Sequence, residues 1–173
     1  MRLQAMARVL AGATIVVALG ASGWVAAQAG ANSVLKPADL EKLFPATVYY
    51  CGQSAPAQLR NSGGVKFADG HYVLASLVDT SGYSTGIAQK YQGYLITEVP
   101  LMIEGKRLPV GAYGFGFLDG DRLLVTDLGG HDVLTAHTAK DTAMTRPRPL
   151  EMTDDSAGGY RLYAGKSYVH FAR

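Results

Sequence analysis

The sequence predicts a mainly β protein, a small antiparallel β-barrel or β-sandwich with a short N-terminal helix. Three observations carry that expectation. Short runs rich in β-formers are separated by Asp69-Gly70, Asp119-Gly120-Asp121, Gly129-Gly130 and Gly165, which are turn signals. Past residue 30, helical patterning is confined to Pro37–Phe44 and a possible turn at Gly86–Tyr91. The stretch Val110–Thr138 reads as three consecutive strands, a meander around which the rest of the chain is arranged.

The chain has 173 residues, and its first 29 carry a targeting signal. Arg2 and Arg8 precede an apolar run from Val9 to Gly20, and Ala27-Gln28-Ala29 supplies small residues for a signal peptidase. Cleavage after Ala29 leaves residues 30–173 as a single secreted β domain, periplasmic or extracellular, with no membrane span. The rival reading, an uncleaved anchor, counts the apolar stretch up to Ala27, near the ~20 residues a span needs. The segment holds two of the 16 basic residues and none of the 14 acidic ones, so the remainder is neutral, 14 − 14 = 0. The basicity belongs to the targeting segment, and no basic stripe argues for nucleic acid. The single cysteine, Cys51, makes no internal disulfide and is expected as a buried strand residue.

Taken in order, Gly30–Leu35 is a leader and Pro37–Phe44 a helix. Proline stands at its start, Asp39 in its first turn and Pro45 after its end. Leu40, Leu43 and Phe44 fall on one side, an amphipathic face for packing on the sheet. Thr47–Cys51 is the first strand, and the glycine-bearing, polar Gly52–Gly64 is a long loop. Val65–Ala68 and His71–Val78 flank Asp69-Gly70 as a two-residue hairpin, which sets Phe67 beside Tyr72 and Val65 beside Leu74. Tyr94–Glu104 is a long apolar strand with an edge or bulge at Pro100. Gly105–Pro109 is a turn, and Tyr160–Ala164 with Ser167–Phe171 is a final hairpin about Gly165.

Two-residue loops in the meander pair residues whose numbers sum to an odd value. One face then holds Tyr113, Phe115, Phe117 and Leu124; the other holds Gly114, Gly116, Leu123, Val125, Leu134 and Ala136. Neither face is uniformly polar, so this sheet is expected to be covered on both sides or closed into a barrel. Gly114 and Gly116 suit strong coiling or the close approach of another backbone.

Glu98-Val-Pro-Leu-Met-Ile-Glu-Gly-Lys-Arg-Leu-Pro-Val-Gly-Ala-Tyr113 resembles a group of secreted bacterial β-proteins that share a strand, Gly-Lys-x-Leu-Pro-x-Gly-x-Tyr, and a second strand. The resemblance implies a β fold and export, and it transfers no catalytic residue.

Four constellations invite chemistry. Gly82-Tyr-Ser-Thr-Gly86 matches the G-x-S-x-G nucleophile elbow, which would make Ser84 the nucleophile of a small serine hydrolase. An elbow belongs to alternating strands and helices around a parallel sheet, however, and this chain offers hairpins. Asp127 and Asp132 flank Gly129-Gly130 and, if opposed, would favour a bridging cation such as Ca²⁺, although calcium wants six to eight oxygens. His71, His131, His137 and His170 have no metal-ligand spacing, so no cofactor is expected. Tyr83, Tyr91 and Tyr94 gather around the least regular stretch and are ligand-binding candidates, since tyrosine offers a flat apolar ring with a polar tip. The leading reading is a secreted, non-catalytic binding or structural module of the cell envelope or extracellular space, its partner an envelope polymer, carbohydrate or protein. The alternatives are the Ser84 hydrolase and a β-barrel carrier of a small apolar ligand.

Overall fold

The computed structural model describes residues 30–173; the expected signal peptide, and the anchor alternative with it, fall on residues 1–29, outside the described residues. Two antiparallel sheets are stacked face to face, and neither closes into a barrel. The larger runs in the order β1 (Ser33–Leu35), β3 (Gln53–Lys66), β4 (Tyr72–Val78), β5 (Gly93–Thr97), β8 (Gly111–Leu118), β9 (Arg122–Thr126) and β10 (Asp132–His137), with β2 (Thr47–Tyr50) pairing β3. The smaller runs β12 (Glu151–Asp154), β13 (Tyr160–Ala164), β14 (Ser167–Ala172), β6 (Leu101–Ile103) and β7 (Lys106–Leu108), and β11 (Ala139–Lys140) pairs β14. Two short helices, α1 (Pro37–Leu40) and α2 (Thr85–Lys90), complete the described chain.

The large sheet is covered on both faces, as its apolar faces require. Between the sheets lies a core to which Val73, Leu95, Phe115 and Val125 contribute from one side and Met152, Leu162, Val169 and Phe171 from the other. On the opposite face a second core gathers Leu40 at the end of α1, Phe44 beyond it, Val48, Tyr50 and Ala55 of the β2–β3 hairpin, and Tyr83, Tyr91 and Tyr94. Leu43, expected on the helix's apolar side, is exposed. The hairpin's tip reaches across to the far end of the sheet, where the Cys51 N–H donates to the Leu128 carbonyl at 2.9 Å.

That tip corrects two expectations. Cys51 is not within a strand: with Gly52 it forms a two-residue primed turn, φ +47° and +81°, and is half-buried. Gly52–Gly64 is not a loop either, because β3 occupies nearly all of it. Its polar composition misled, since the early part pairs with β2 and a register shift between Gln58 and Ser62 lets one strand serve two partners. Residues 105–109 likewise hold the strand β7, paired to β6 across the primed turn Glu104-Gly105.

The register was the largest departure. At Asp69-Gly70 the loop has three residues: the Gly70 N–H donates to the Phe67 carbonyl and the Phe67 N–H to the His71 carbonyl, with Gly70 at φ +90°. This is the type I turn closed by a left-handed glycine, and it pairs Val65 with Val73 and Lys66 with Tyr72. The β8–β9 loop also has three residues, Gly120 and Asp121 both taking positive φ, so Phe117 faces Leu123 and Gly116 faces Leu124. Leu123 and Val125 therefore share the inter-sheet face with Tyr113 and Phe115. The β9–β10 loop repeats the three-residue turn at Asp127–His131, but a bulge between Asp132 and Leu134 shifts the pairing by one. The two shifts cancel, and Leu134 lies opposite Val125 as the two-residue loop had predicted.

Pro100 marks a change of sheet rather than a bulge. β5 belongs to the large sheet and β6 to the small one, and the Thr97 hydroxyl donates to the Val99 carbonyl at the crossing. The Gly-Lys-x-Leu-Pro-x-Gly-x-Tyr stretch has a mechanical account. Gly105 takes φ +75°, Leu108 is fully buried, and the Tyr113 hydroxyl folds back to the Pro109 carbonyl at 3.0 Å. Its ring lies so close to Gly111 that a Cβ there would sit 3.0 Å from the Tyr113 oxygen.

Candidate functional site

The residues singled out from sequence are dispersed. Ser84 is exposed immediately before α2, and its side chain makes no capping bond. Three histidines are held elsewhere: His71 by Asp69 at 3.1 Å, His131 by Asp127 at 3.0 Å, and His170 by the Gly158 carbonyl at 2.7 Å. The helix after Ser84 has six residues and the sheet before it is antiparallel, so the strand–turn–helix frame of an elbow is missing its parallel sheet.

Asp127 and Asp132 do not oppose each other, because the three-residue loop sets Asp132 against Thr126. Asp127 instead closes its own turn, accepting from the backbone N–H groups of Gly129 and His131, both at 2.9 Å. The His131 N–H is the leading cause that holds this carboxyl below its ordinary pKa. Asp132 lies 3.8 Å from Lys90. No group of three potential metal ligands forms among the described residues.

Tyr83, Tyr91 and Tyr94 are interior rather than displayed, at 8%, 0% and 7% exposure. Tyr91 stacks on Tyr50 with ring centroids 3.8 Å apart, and Tyr83 meets both edge-on. The Tyr83 hydroxyl donates to the Tyr50 and Gln53 carbonyls, and Tyr50 shares a 2.8 Å bond with Thr126. Only the Tyr91 hydroxyl is buried without a partner among the described residues. The glycines of β8 make room for this cluster. A Cβ on Gly114 would meet the Tyr50 ring at 2.5 Å, and one on Gly116 would meet the Lys90 carbonyl oxygen at 2.4 Å. The close backbone approach expected at these glycines is therefore made by the end of α2. The inter-sheet core leaves a cavity of only about 10 Å³, lined by residues such as Val73, Met152 and Phe171.

Polar chemistry collects instead on the outer face of the small sheet. Leu162 and Val169 point into the core, so their neighbours Arg161, Tyr163, Tyr168 and His170 point away from it. Arg161 lies directly opposite His170 on one side and Thr153 on the other; Tyr163 lies opposite Tyr168. Asp155 takes the Arg161 guanidinium through Nε at 2.9 Å and Nη2 at 3.0 Å. Nη1 donates to the Tyr163 hydroxyl at 3.3 Å, which donates in turn to Asp141 at 3.1 Å. The guanidinium carbon sits 4.6 Å from the centre of the Tyr168 ring. The Asp155 side chain is 6% exposed and its carboxyl is held below its ordinary pKa, first by the Arg161 hydrogen bonds; the Arg161 side chain remains 28% exposed.

The Tyr168 ring beneath the guanidinium and a two-point carboxylate bond hold the arginine in one orientation. Of the five N–H groups of a guanidinium, three are engaged here, which leaves two. The Gly158 carbonyl can only accept, so the His170 ring donates to it through Nε2. The loop that carries this carbonyl is pressed onto β14. Gly159 takes φ +78°, and a Cβ there would lie 2.7 Å from the Phe171 oxygen. Sequence reading passed over this group, although its signal was present. Arg161-Leu-Tyr163 and Tyr168-Val-His170 alternate outward polar or aromatic residues with inward aliphatic ones.

The sandwich guards its edges. β1 and β7 have three residues each, β10 carries the bulge, and the Lys106 ammonium caps the Thr135 carbonyl on it. Such short, charged or bulged edges resist pairing with another chain. Fold and surface together define a two-sheet antiparallel β-sandwich with a clamped polar face on its smaller sheet. The chain matches no protein-family model, no curated protein and no solved structure. No helix among the described residues is long and apolar enough to cross a membrane.

Proposed function

We propose that this chain is an exported, non-catalytic binding module of the cell envelope or extracellular space, and that it binds through the outer face of the small sheet. The observation that carries the reading is Arg161, immobilised by Asp155, Tyr163 and Tyr168 on a partly exposed face with N–H groups unspent. A donor whose orientation is already fixed loses little entropy when a ligand arrives, so rigid polar groups favour recognition. The alternatives draw less support. The Ser84 side chain makes no capping bond, and His71, His131 and His170 are each held by other groups; a serine hydroxyl without a base is a weak nucleophile. A carrier of an apolar ligand needs an interior, and the cavity in the inter-sheet core has room for about one water molecule.

The test is co-sedimentation of the purified protein with insoluble envelope material, cell-wall sacculi and outer-membrane fragments, in physiological salt. Retention by one fraction, weakened at least tenfold by Arg161→Ala, is the expected result. Equal retention of the variant would remove the small-sheet face from the reading, and no retention by any fraction would remove the binding module itself.

A further inference from the structure

We propose that residues 141–150 form a strap guarded against proteases that cut after lysine or arginine, with Pro147 and Pro149 sealing the bonds that follow its two arginines. Such a guard suits a chain exported to where those enzymes work, and it is independent of what the outer face binds.

The strap is the segment most open to a protease. Its ten residues, between β11 and β12, are the longest run without helix or strand among the described residues. Exposed, irregular backbone is where folded chains are nicked, because a protease cleft takes in extended chain that no ladder holds. The Asp141 N–H donates to the Lys166 carbonyl at 2.9 Å, and the Arg148 carbonyl accepts the Gly165 N–H at 3.0 Å. The Asp141 carboxylate takes the Ala143 and Met144 N–H groups and the Tyr163 hydroxyl. Residues 145–149, Thr-Arg-Pro-Arg-Pro, are all exposed.

Two arginines in such a stretch would ordinarily be targets, yet both are followed by proline. The proline nitrogen carries no hydrogen, and its ring crowds the residue before it. A cleft shaped for an ordinary bond after arginine does not seat that geometry.

The same economy runs through the described chain. Past residue 29 there are 16 − 2 = 14 basic residues, and eight lie within strands or α2, where cleavage must wait for local unfolding. That leaves 14 − 8 = 6, of which Arg173 ends the sequence. Lys36, Arg146 and Arg148 each precede proline. The other two stand in hydrogen-bonded turns: the Leu43 N–H after Lys42 donates to the Leu40 carbonyl at 3.1 Å, and the Lys166 carbonyl accepts from Asp141. Among the eight, Arg60 is the exception, in a stretch of β3 with no β4 partner between Gln58 and Ser62.

The experiment is a time course of the purified exported protein in trypsin under native conditions, with fragments identified by mass spectrometry. The parent strap should stay whole, and any slow cut is expected after Arg60. Pro147→Ala combined with Pro149→Ala should be nicked after Arg146 or Arg148 at least tenfold faster than the parent strap. Thr145→Lys keeps both prolines and adds one bond that trypsin can open, so it should be cut after position 145. Should the double variant misfold, Thr145→Lys still decides, through a cut after position 145 with Arg146 and Arg148 spared in the same chain. A parent cut after Arg146 or Arg148 would overturn the guard. So would a Thr145→Lys strap that trypsin leaves whole, or a folded double variant as resistant as the parent, because packing rather than proline would then be the protection.

Discussion

Replacing Tyr91 by phenylalanine should stabilise the protein. The ring is fully buried, stacked 3.8 Å from Tyr50 and crossed edge-on by Tyr83, and the substitution keeps all of that packing. What it removes is a hydroxyl with no hydrogen-bond partner among the described residues. An unsatisfied buried hydroxyl costs about 1–3 kcal/mol. Losing one oxygen's contacts offsets part of that, so a net gain of about 1 kcal/mol is expected. For a domain of this size that corresponds to a rise of roughly 3 °C in Tm. Tyr50→Phe is the control. Its hydroxyl bonds Thr126 at 2.8 Å, so the same deletion there should cost about 1 kcal/mol.

Urea unfolding with an unchanged m-value measures both variants. The alkaline limb gives an independent reading. Burial is the leading cause that pushes the Tyr50, Tyr83, Tyr91 and Tyr94 phenols above their ordinary pKa, Tyr91 furthest. Unfolded phenols ionise near pH 10. Their contribution to stability is therefore complete below about pH 10 and is lost as pH rises, because the unfolded state then binds fewer protons. Each such phenol adds up to about 1.4 kcal/mol per pH unit to the slope, and Tyr91→Phe should shed one phenol's share. A Tyr91→Phe protein less stable than the parent by about 1 kcal/mol would refute the reasoning, since the hydroxyl would then have to be satisfied.

Three further outcomes are expected. Gly116→Ala should destabilise by about 1–3 kcal/mol in urea unfolding, because its Cβ would stand 2.4 Å from the Lys90 carbonyl oxygen and the end of α2 would have to move. Ser84→Ala should change stability by less than about 0.5 kcal/mol, since the hydroxyl makes no capping bond to lose; fluorophosphonate labelling that vanishes in this variant would restore the hydrolase. Mass spectrometry of the exported protein should find Gly30 or a near neighbour at its N-terminus, and an intact Met1 form embedded in membrane would favour an anchor.

By itself the sequence determined the β class, the helix opened by Pro37, and the places where the chain turns. These depend on local chemistry: Gly70, Gly120 and Gly130 adopt positive φ at little steric cost, and a proline at a helix start has no N–H to waste. The need to cover the central sheet on both faces was legible too, from apolar residues at both parities of β8 and β9. That same property concealed the register. When both faces are buried, a one-residue slip exchanges one apolar set for another, and alternation no longer selects between them. Loop length decided instead, and Asp119-Gly120-Asp121 reads alike with a loop of two or three residues until the flanking strands are placed. Tertiary structure also decided which side of Pro100 belongs to which sheet. It turned Tyr83, Tyr91 and Tyr94 inward, because the β2–β3 hairpin, far off in sequence, folds over Gly114 and closes the space above them. The clamped face followed the same division. The alternation of β13 and β14 sends Arg161 and His170 outward, but Asp155 and Gly158 reach them only because left-handed glycines bend their loop back onto the sheet.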